Sequence, residues 1–277
     1  MKNILVPTDF SQVANRAADI AIAIAEKSGA EIHFLNIQVT PVMWVKLDKE
    51  KEERFPEVLK EIGYAKSELN KLVKQAQDKG LKAQQFLVFD VGREEILKHI
   101  PFHHHAFVVM GSHGASGARE LFVGSNAQKV LRNATVPVLI VKEKSEWPFN
   151  NIVFASSFEE DVDEPFQTVV KLADLNHSNI HLLYVNVPFS FEETDRTLEK
   201  MHAFHESCPR GGTCTTNIYN SLNEERGIIK FAESVDSDLI ALTTHGKTGF
   251  LSLMSKSITE SMANHSEIPI LSINLTK

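Results

Sequence analysis

Apolar and polar residues recur along this chain with two periods, one typical of buried strands and one typical of helices. Residues 3–6 form a short apolar run, and the alanines and isoleucines of residues 14–25 then follow the spacing of a helix with one buried face. Gly29 comes directly after this pattern and is predicted to be the helix C-cap. The same reasoning predicts strands at residues 31–39, 84–89, 106–110 and 136–141, and helices at residues 56–79, 94–100 and 125–132.

The chain repeats itself once. The run Ile4-Leu5-Val6 returns 148 residues later as Ile152-Val153-Phe154, whereas His113-Gly114 returns only 132 residues later as His245-Gly246. The difference between the offsets makes the second copy 16 residues shorter, and residues 40–56 are predicted to be the piece that it lacks. The repeat predicts two tandem domains, at residues 1–144 and 150–277, with a linker over residues 142–149.

Strands and helices alternate within each copy, and the strands are apolar throughout. Such strands need cover on both faces, which a parallel sheet flanked by helices provides. Right-handed crossovers then fix the topology. The sequence therefore predicts an α/β protein of two tandem, doubly wound, five-stranded parallel-sheet domains of the Rossmann-like kind.

Composition narrows the functional classes. Acidic residues exceed basic ones by seven, which argues against a general nucleic-acid binder. Two cysteines are too few for a disulfide framework, and no run of 18 apolar residues suggests a membrane span. The first residues lack the pattern of a signal peptide, so we expect a cytoplasmic protein.

Candidate ligand-binding residues follow the first and fourth strands of the first copy, since ligands of open α/β sheets bind beyond the carboxyl ends of the strands. Pro7-Thr8-Asp9 follows the first strand, Gly111 and Gly114 follow the fourth, and Gly124-Ser125-Asn126 opens a helix. Glycines allow close approach of the backbone, and a helix N-terminus favours an anion. The pattern indicates a phosphate site in which Asp9 accepts hydrogen bonds from a ribose or a base. Alternatively, the glycines mark ordinary turns and Ser125 is a helix cap.

The glycine spacing favours the first interpretation. Gly111, Gly114, Gly124 and Ser125 follow the Gly-x2-Gly-x9-Gly-Ser/Thr pattern, and this segment resembles the ATP-binding universal stress proteins. The runs around Val6-Pro7-Thr8-Asp9 and residues 136–141 are similar to the same family, so the resemblance covers both copies.

The resemblance implies roles for individual residues. Pro7, Thr8, Asp9 and Ile37 are expected around adenine and ribose, and Met110, Gly111 and Gly114 beside the ribose and the α-phosphate. Gly124, Ser125 and Asn126 are expected at the β- and γ-phosphates.

The family also implies a stress-response protein that binds ATP or AMP, with Mg²⁺ on the phosphates of ATP, and that acts through an unknown protein partner. It implies that the copies pack like a homodimer through their last strands, which one chain can satisfy, while association with a second chain stays open. Since phosphoryl transfer needs charge neutralisation and in-line positioning, we expect no enzyme beyond slow ATP hydrolysis. Two alternatives remain: a nucleotidylyltransferase-like enzyme on the same fold, and an assembly scaffold that binds no nucleotide.

The second copy departs from the pattern. Ser157 stands at the position of Asp9, and Thr243 replaces Gly111 with a residue that carries a β-carbon. Lys256-Ser257 stands in place of Gly124-Ser125. Residues 145–277 also carry 19 acidic and 9 basic side chains, which disfavours a triphosphate. We therefore predict a degenerate second domain that has lost nucleotide binding.

Four potential metal ligands lie close together in the second copy, and they are His202, His205, Cys208 and Cys214. Two cysteines and two histidines suit tetrahedral zinc, although the spacing is not that of a standard zinc finger. The alternative is that the cysteines are small buried hydrophobes and the histidines are solvated.

Two features of the first copy have other predicted roles. The run His103-His104-His105 is expected to form a solvated loop. Trp44 either covers a bound nucleotide or packs against the second helix.

Overall fold

The computed structural model describes residues 2–90, 95–113, 124–159, 162–206, 213–245 and 250–275. In the first copy the strands are β1 (Asn3–Pro7), β2 (Glu31–Val39), β3 (Ala83–Asp90), β4 (Phe107–Gly111) and β5 (Val138–Val141). The helices are α1 (Gln12–Ser28), α2 (Lys49–Glu52), α3 (Pro56–Asp78), α4 (Glu95–Phe102) and α5 (Ser125–Asn133), with a 3-10 turn at Trp44–Lys46.

The second copy repeats this order without a counterpart of α2. Its strands are β6 (Asn151–Ala155), β7 (Asn179–Asn186), β8 (Cys214–Asn220), β9 (Leu239–His245) and β10 (Ile270–Leu275). Its helices are α6 (Asp163–Asp174), α7 (Thr194–Glu206), α8 (Glu224–Ser234) and α9 (Phe250–His265), with a 3-10 turn at Pro188–Ser190. Among the described residues, no helix is both long and apolar enough to cross a membrane.

Within the described part of the chain, all strands join one ten-stranded sheet in the order β3-β2-β1-β4-β5-β10-β9-β6-β7-β8. Neighbours within each half are parallel, which confirms the predicted fold class. The halves meet through the antiparallel pair β5–β10, in which Leu139 lies opposite Leu271. The pairing of copies through their last strands, expected from the resemblance, is therefore present within this chain.

Strand register confirms both offsets of the repeat. Ile4 lies opposite Phe107 in the first half, and Ile152 lies opposite Leu239 in the second. Ile152 comes 148 positions after Ile4, and Leu239 comes 132 positions after Phe107. The prediction that the second copy lacks a counterpart of residues 40–56 is only partly right. The connection that precedes α7 is shorter than the one that precedes α3, but α7 itself is also shorter, with 13 residues against 23.

Alternate residues of each central strand enter different cores, because successive side chains of a strand point to opposite faces. Ile4 and Val6 belong to a core that also holds Phe154 of the second half, whereas Leu5 belongs to a core on the other face. A single apolar layer thus spans both halves on one side of the sheet, which is a doubly wound arrangement.

Local signals explain the boundaries of α1. Ser11 caps its N-terminus by accepting a hydrogen bond from the backbone of Ala14, and Gly29 ends it in a left-handed conformation at φ 69°. The helix packs with its small residues against β4, next to the predicted ligand-binding edge.

Candidate functional site

A cavity of about 190 Å³ lies at the carboxyl ends of β1 and β4. The described site residues predicted from the sequence all line it, and they are Pro7, Thr8, Asp9, Ile37, Met110, Gly111, Gly124, Ser125 and Asn126. Gly114 lies outside the described residues. The volume is below the roughly 300 Å³ typical of small-molecule sites, so a nucleotide seated here would extend beyond this cavity.

The turn after β1 is held by short-range hydrogen bonds. The Thr8 hydroxyl accepts from the backbone N–H of Phe10 at 3.0 Å, and Asp9 Oδ1 accepts from the N–H of Ser11 at 3.1 Å. Phe10 adopts a positive φ of 64°, which turns the chain sharply into α1. Buried Asn36 on β2 donates to the carbonyl of Thr8 at 2.8 Å and fixes the turn from the neighbouring strand. The turn leaves the Asp9 carboxylate exposed at the cavity.

Helix α1 packs closely against Gly111. A β-carbon built at this position would come within 3.1 Å of both the backbone nitrogen of Ala14 and Cγ1 of Val13. The sequence pattern predicts that this glycine allows close approach of a ligand, and the structure adds close packing of α1 as a second reason for a small residue here.

Gly124 has a different explanation. It is the N-cap of α5 with φ −59° and ψ 152°, a conformation that any residue can adopt, and Ser125 is the first helical residue. Because Gly124 holds the N-cap position, the alternative in which Ser125 acts as the cap is wrong, and no described side chain caps this helix. Gly124 donates its own N–H to the carbonyl of Ser112 at 2.8 Å. The first amides of α5 lie at the cavity, and among the described residues no side chain accepts a hydrogen bond from them.

Several residues that line this cavity were not predicted from the sequence, among them Leu35, Asn36 and Ile96. Asn36 carried a usable signal, since a polar residue inside an otherwise apolar strand needs a hydrogen-bond partner when it is buried. The Ser112 hydroxyl lies 3.1 Å from Nδ1 of His113, which no local pattern indicates.

The turn after β6 repeats the geometry of the first copy. Ser156 accepts a hydrogen bond from the N–H of Phe158 at 3.1 Å, and Ser157 accepts from the N–H of Glu159 at 3.4 Å. Phe158 has a positive φ of 55°, like Phe10. Ser157 therefore occupies the structural position of Asp9, and the carboxylate of Asp9 has no counterpart at this position.

Comparison with known proteins identifies the chain. A model of the universal stress protein family matches it twice, over residues 1–142 and 148–274. The chain belongs to the universal stress protein family. Universal stress protein MJ0531 of Methanocaldococcus jannaschii is 35% identical over 144 residues, which cover 51% of this chain and 82% of that protein.

Other members of the family match in the same way. Universal stress protein YxiE of Bacillus subtilis is 30% identical over 150 residues, which cover 50% of this chain and 97% of that protein. The crystal structure of a universal stress protein from Archaeoglobus fulgidus aligns over 99% of this chain and 98% of that chain, with a TM-score of 0.76 and 20% identity. The last similarity shows that the tandem fold is shared.

A larger cavity, of about 670 Å³, lies in the second copy of this universal stress protein. It is lined by residues at the carboxyl ends of β6, β7 and β9, together with Tyr184, Glu192 and Glu224. No organic ligand was predicted for this half, and none of the described predicted zinc ligands lines this cavity, so it was missed. Its apolar walls come from ordinary strand residues, which a sequence pattern does not distinguish from core.

The structure does not support the predicted zinc site. Cys214 is disulfide-bonded, and a disulfide sulfur supplies no thiolate to a metal. Nε2 of His205 lies 3.0 Å from the backbone oxygen of Cys214, and His202 is exposed. Cys208 lies outside the described residues, and among those described no three His, Cys, Asp or Glu side chains are arranged to hold a metal ion.

Four histidines form an imidazole cluster (His33, His99, His103 and His105) on the first copy. Nδ1 of His33 lies 2.8 Å from Nε2 of His105, and Nε2 of His33 lies 3.1 Å from Oε1 of Glu31. Because a carboxylate only accepts, we assign the hydrogen to Nε2 of His33, which then accepts from His105. The expectation of a solvated loop is wrong for His105, which is 4% exposed, and holds for His104.

Burial keeps two members of this cluster neutral. It is the main reason why the pKa of His99 falls to about 4, with the neighbouring histidines adding to the effect. The pKa of His105 also falls to about 4, mainly because the ring is buried and then because of His33. Nε2 of His99 and Nδ1 of His105 have no hydrogen-bond partner within the described structure.

Trp44 packs within the protein. Its ring lies 6.2 Å from the ring of Phe55 and 6.3 Å from that of Phe89, and the side chain is buried. Among the described residues that line the smaller cavity, Trp44 is absent. Of its two predicted roles, the structure favours packing.

Proposed function

We propose that this universal stress protein binds ATP, or AMP, in the cavity of its N-terminal half, and that the C-terminal half binds no nucleotide. The observation that carries the proposal is the start of α5 at Gly124, which no described side chain caps, in one cavity with Asp9. Backbone amides at a helix N-terminus bind phosphate, and a carboxylate accepts hydrogen bonds from ribose hydroxyls or a base amine. The cavity therefore offers complementary ends to a nucleotide.

The roles of individual residues follow the family pattern. Pro7, Thr8, Asp9 and Ile37 surround adenine and ribose in this proposal, and Met110, Gly111 and Gly114 flank the ribose and the α-phosphate. Gly124, Ser125 and Asn126 hold the β- and γ-phosphates. Mg²⁺ accompanies ATP on its phosphate oxygens, because this ion retains most of its waters and seldom needs a cage of protein ligands.

Slow chemistry is expected at such a site. Among the described residues that line the cavity there is no lysine or arginine, so amide dipoles and Mg²⁺ must balance the phosphate charge. Phosphoryl transfer is fast only when developing charge is neutralised and the nucleophile is positioned in line. We therefore propose a binding protein whose nucleotide occupancy changes a surface for a protein partner, with at most slow ATP hydrolysis.

Calorimetric titration of the full chain with ATP and with AMP tests the proposal. Gly124→Val should weaken ATP binding at least about tenfold, because branched carbons would occupy the space beside the α5 amides, while its backbone conformation remains allowed for valine. Asp9→Ala should weaken ATP and AMP alike. Ser157→Ala, at the equivalent position of the second copy, is the matched control and should leave the affinity unchanged.

Three results would contradict the proposal. The first is the absence of heat from either nucleotide with the folded wild-type chain. The second is unchanged ATP affinity in Gly124→Val. The third is a loss of binding in Ser157→Ala instead of Asp9→Ala, which would place the nucleotide in the second copy.

A further inference from the structure

The larger cavity of the second copy, of about 670 Å³, has walls unlike those of a phosphate site. Much of its lining is apolar, including Leu183, Val185, Ile228 and Leu242. Its size falls within the roughly 300–1,000 Å³ of small-molecule sites. The cavity is thus built for an organic molecule with an apolar body.

Carboxylates dominate the charged groups of this cavity. Glu159, Glu192, Glu193 and Glu224 line it, whereas Arg196 is the one cation among its described lining residues. Internal pairing neutralises part of this charge. Glu192 lies 3.1 Å from Nε of Arg196 and 2.5 Å from Nζ of Lys200, which also lies 3.4 Å from Glu159.

Glu224 is left without such a partner. Within the described part of the chain it makes no hydrogen bond and no ion pair, although it is half-buried at the start of α8. Burial raises the pKa of this carboxyl, and no neighbouring cation offsets the effect. An unpaired carboxylate removed from water is unfavourable, so a cation placed beside it would be bound.

Tyr184 supplies a second polar group without a partner. Its side chain is 9% exposed, and within the described residues its hydroxyl makes no hydrogen bond. Burial is the main reason why its pKa is raised, and the carboxylates of Glu192, Glu159 and Glu224 raise it further. Those carboxylates therefore lie near the tyrosine, which lines the same cavity, and Lys200 Nζ lies 5.5 Å from the centre of its ring.

We infer that this cavity binds an organic cation, an apolar or aromatic body that carries a primary amine, with the ammonium beside Glu224 and a hydrogen bond to the Tyr184 hydroxyl. The apolar walls take the body, and the free carboxylate takes the charge. The inference is independent of nucleotide binding in the first copy. A polyphosphate is disfavoured here, because its charge would be repelled by the carboxylates.

Three indole compounds of different charge test the inference on the full chain. Tryptamine is cationic, tryptophol is neutral and indole-3-acetate is anionic at pH 7, while their ring systems are the same. By calorimetric titration, tryptamine should bind at least about tenfold more tightly than tryptophol. Indole-3-acetate should bind more weakly than tryptophol. Saturating ATP should leave the tryptamine affinity unchanged, since the two cavities are separate.

Two mild variants locate the site. Glu224→Gln should abolish the preference for tryptamine over tryptophol, and Tyr184→Phe should weaken tryptamine binding while the ring is retained. Glu233→Gln, near the other end of the same helix and paired with Lys230 outside the cavity, is the matched control and should behave like the wild type. Circular dichroism and thermal unfolding establish that each variant is folded.

Several outcomes would overturn the inference. It fails if tryptamine does not bind to the folded wild-type chain, or if the three compounds bind equally. It also fails if the preference survives in Glu224→Gln. Competition between ATP and tryptamine would mean that this cavity is a nucleotide site, which would contradict both this inference and the assignment of nucleotide to the first copy.

Discussion

Mild acidification should destabilise this protein through its imidazole cluster. The pKa of His99 and that of His105 are about 4 in the folded state, whereas the ordinary value is 6.5. The unfolded chain therefore binds more protons than the folded chain between pH 6.5 and pH 4, and stability falls as the pH is lowered through this window. At pH 5, linkage gives a loss of about 2 kcal/mol for each histidine and about 4 kcal/mol for both. Such a loss is a large part of the stability of a typical domain.

Urea unfolding at pH 7, 6 and 5, followed by tryptophan fluorescence, measures this loss. Replacing His99 by phenylalanine should remove about half of it, because one of the two buried titrating rings is gone. A phenyl ring suits the site, since the His99 ring already lies 4.6 Å from the ring of Phe86. His104→Asn is the control, because His104 is exposed and its φ of 53° is one that asparagine tolerates.

The pH range separates His99 and His105 from Glu31. Hydrogen bonds from His33 and Gln84 lower the pKa of Glu31, so the stabilisation that this carboxylate provides is present above its unfolded value of 4.5 and is lost only below it. Equal stability at pH 7 and pH 5 would refute the reasoning. So would a pH dependence of His99→Phe that matches the wild type.

Three further comparisons test the packing. Gly111→Ala should lower the free energy of unfolding by about 1–3 kcal/mol, because its β-carbon would press on the first turn of α1, and an unchanged urea midpoint would contradict this explanation. In Gly227→Ala the new β-carbon would lie 2.4 Å from Cγ1 of Val185, so the variant should be destabilised and Val185→Ala should rescue it; additive losses in the double variant would refute the clash. At the β5–β10 junction, Leu271→Ala should lower the free energy of unfolding by about 3–5 kcal/mol, because this side chain is fully buried. Arg132→Ala should lower it by less than about 1 kcal/mol, because Arg132 is exposed and only pairs with Glu260. If thermal unfolding ranks the two variants in the reverse order, burial is not the main source of stability here.

The strands, helices and many of the cavity residues of the first copy could be predicted, because the sequence patterns that indicate them are local. Gly29, the apolar strands and the register of the repeat depend on neighbours in sequence, and the structure agrees with them. The imidazole cluster could not be predicted in this way. His33 lies on β2, His99 on α4 and His105 before β4, so only the folding of the sheet brings them within contact distance.

The sequence by itself determined the alternation of elements, the duplication and the residues that meet at the carboxyl ends of β1 and β4, because backbone propensity and periodicity are written into short stretches of chain. Only the tertiary structure decided that Gly111 faces α1 and that the larger cavity, with its unpaired Glu224, lies in the other half. Burial, cavity volume and the pairing of charges depend on residues far apart in the chain, and their energies arise only when the core closes around them.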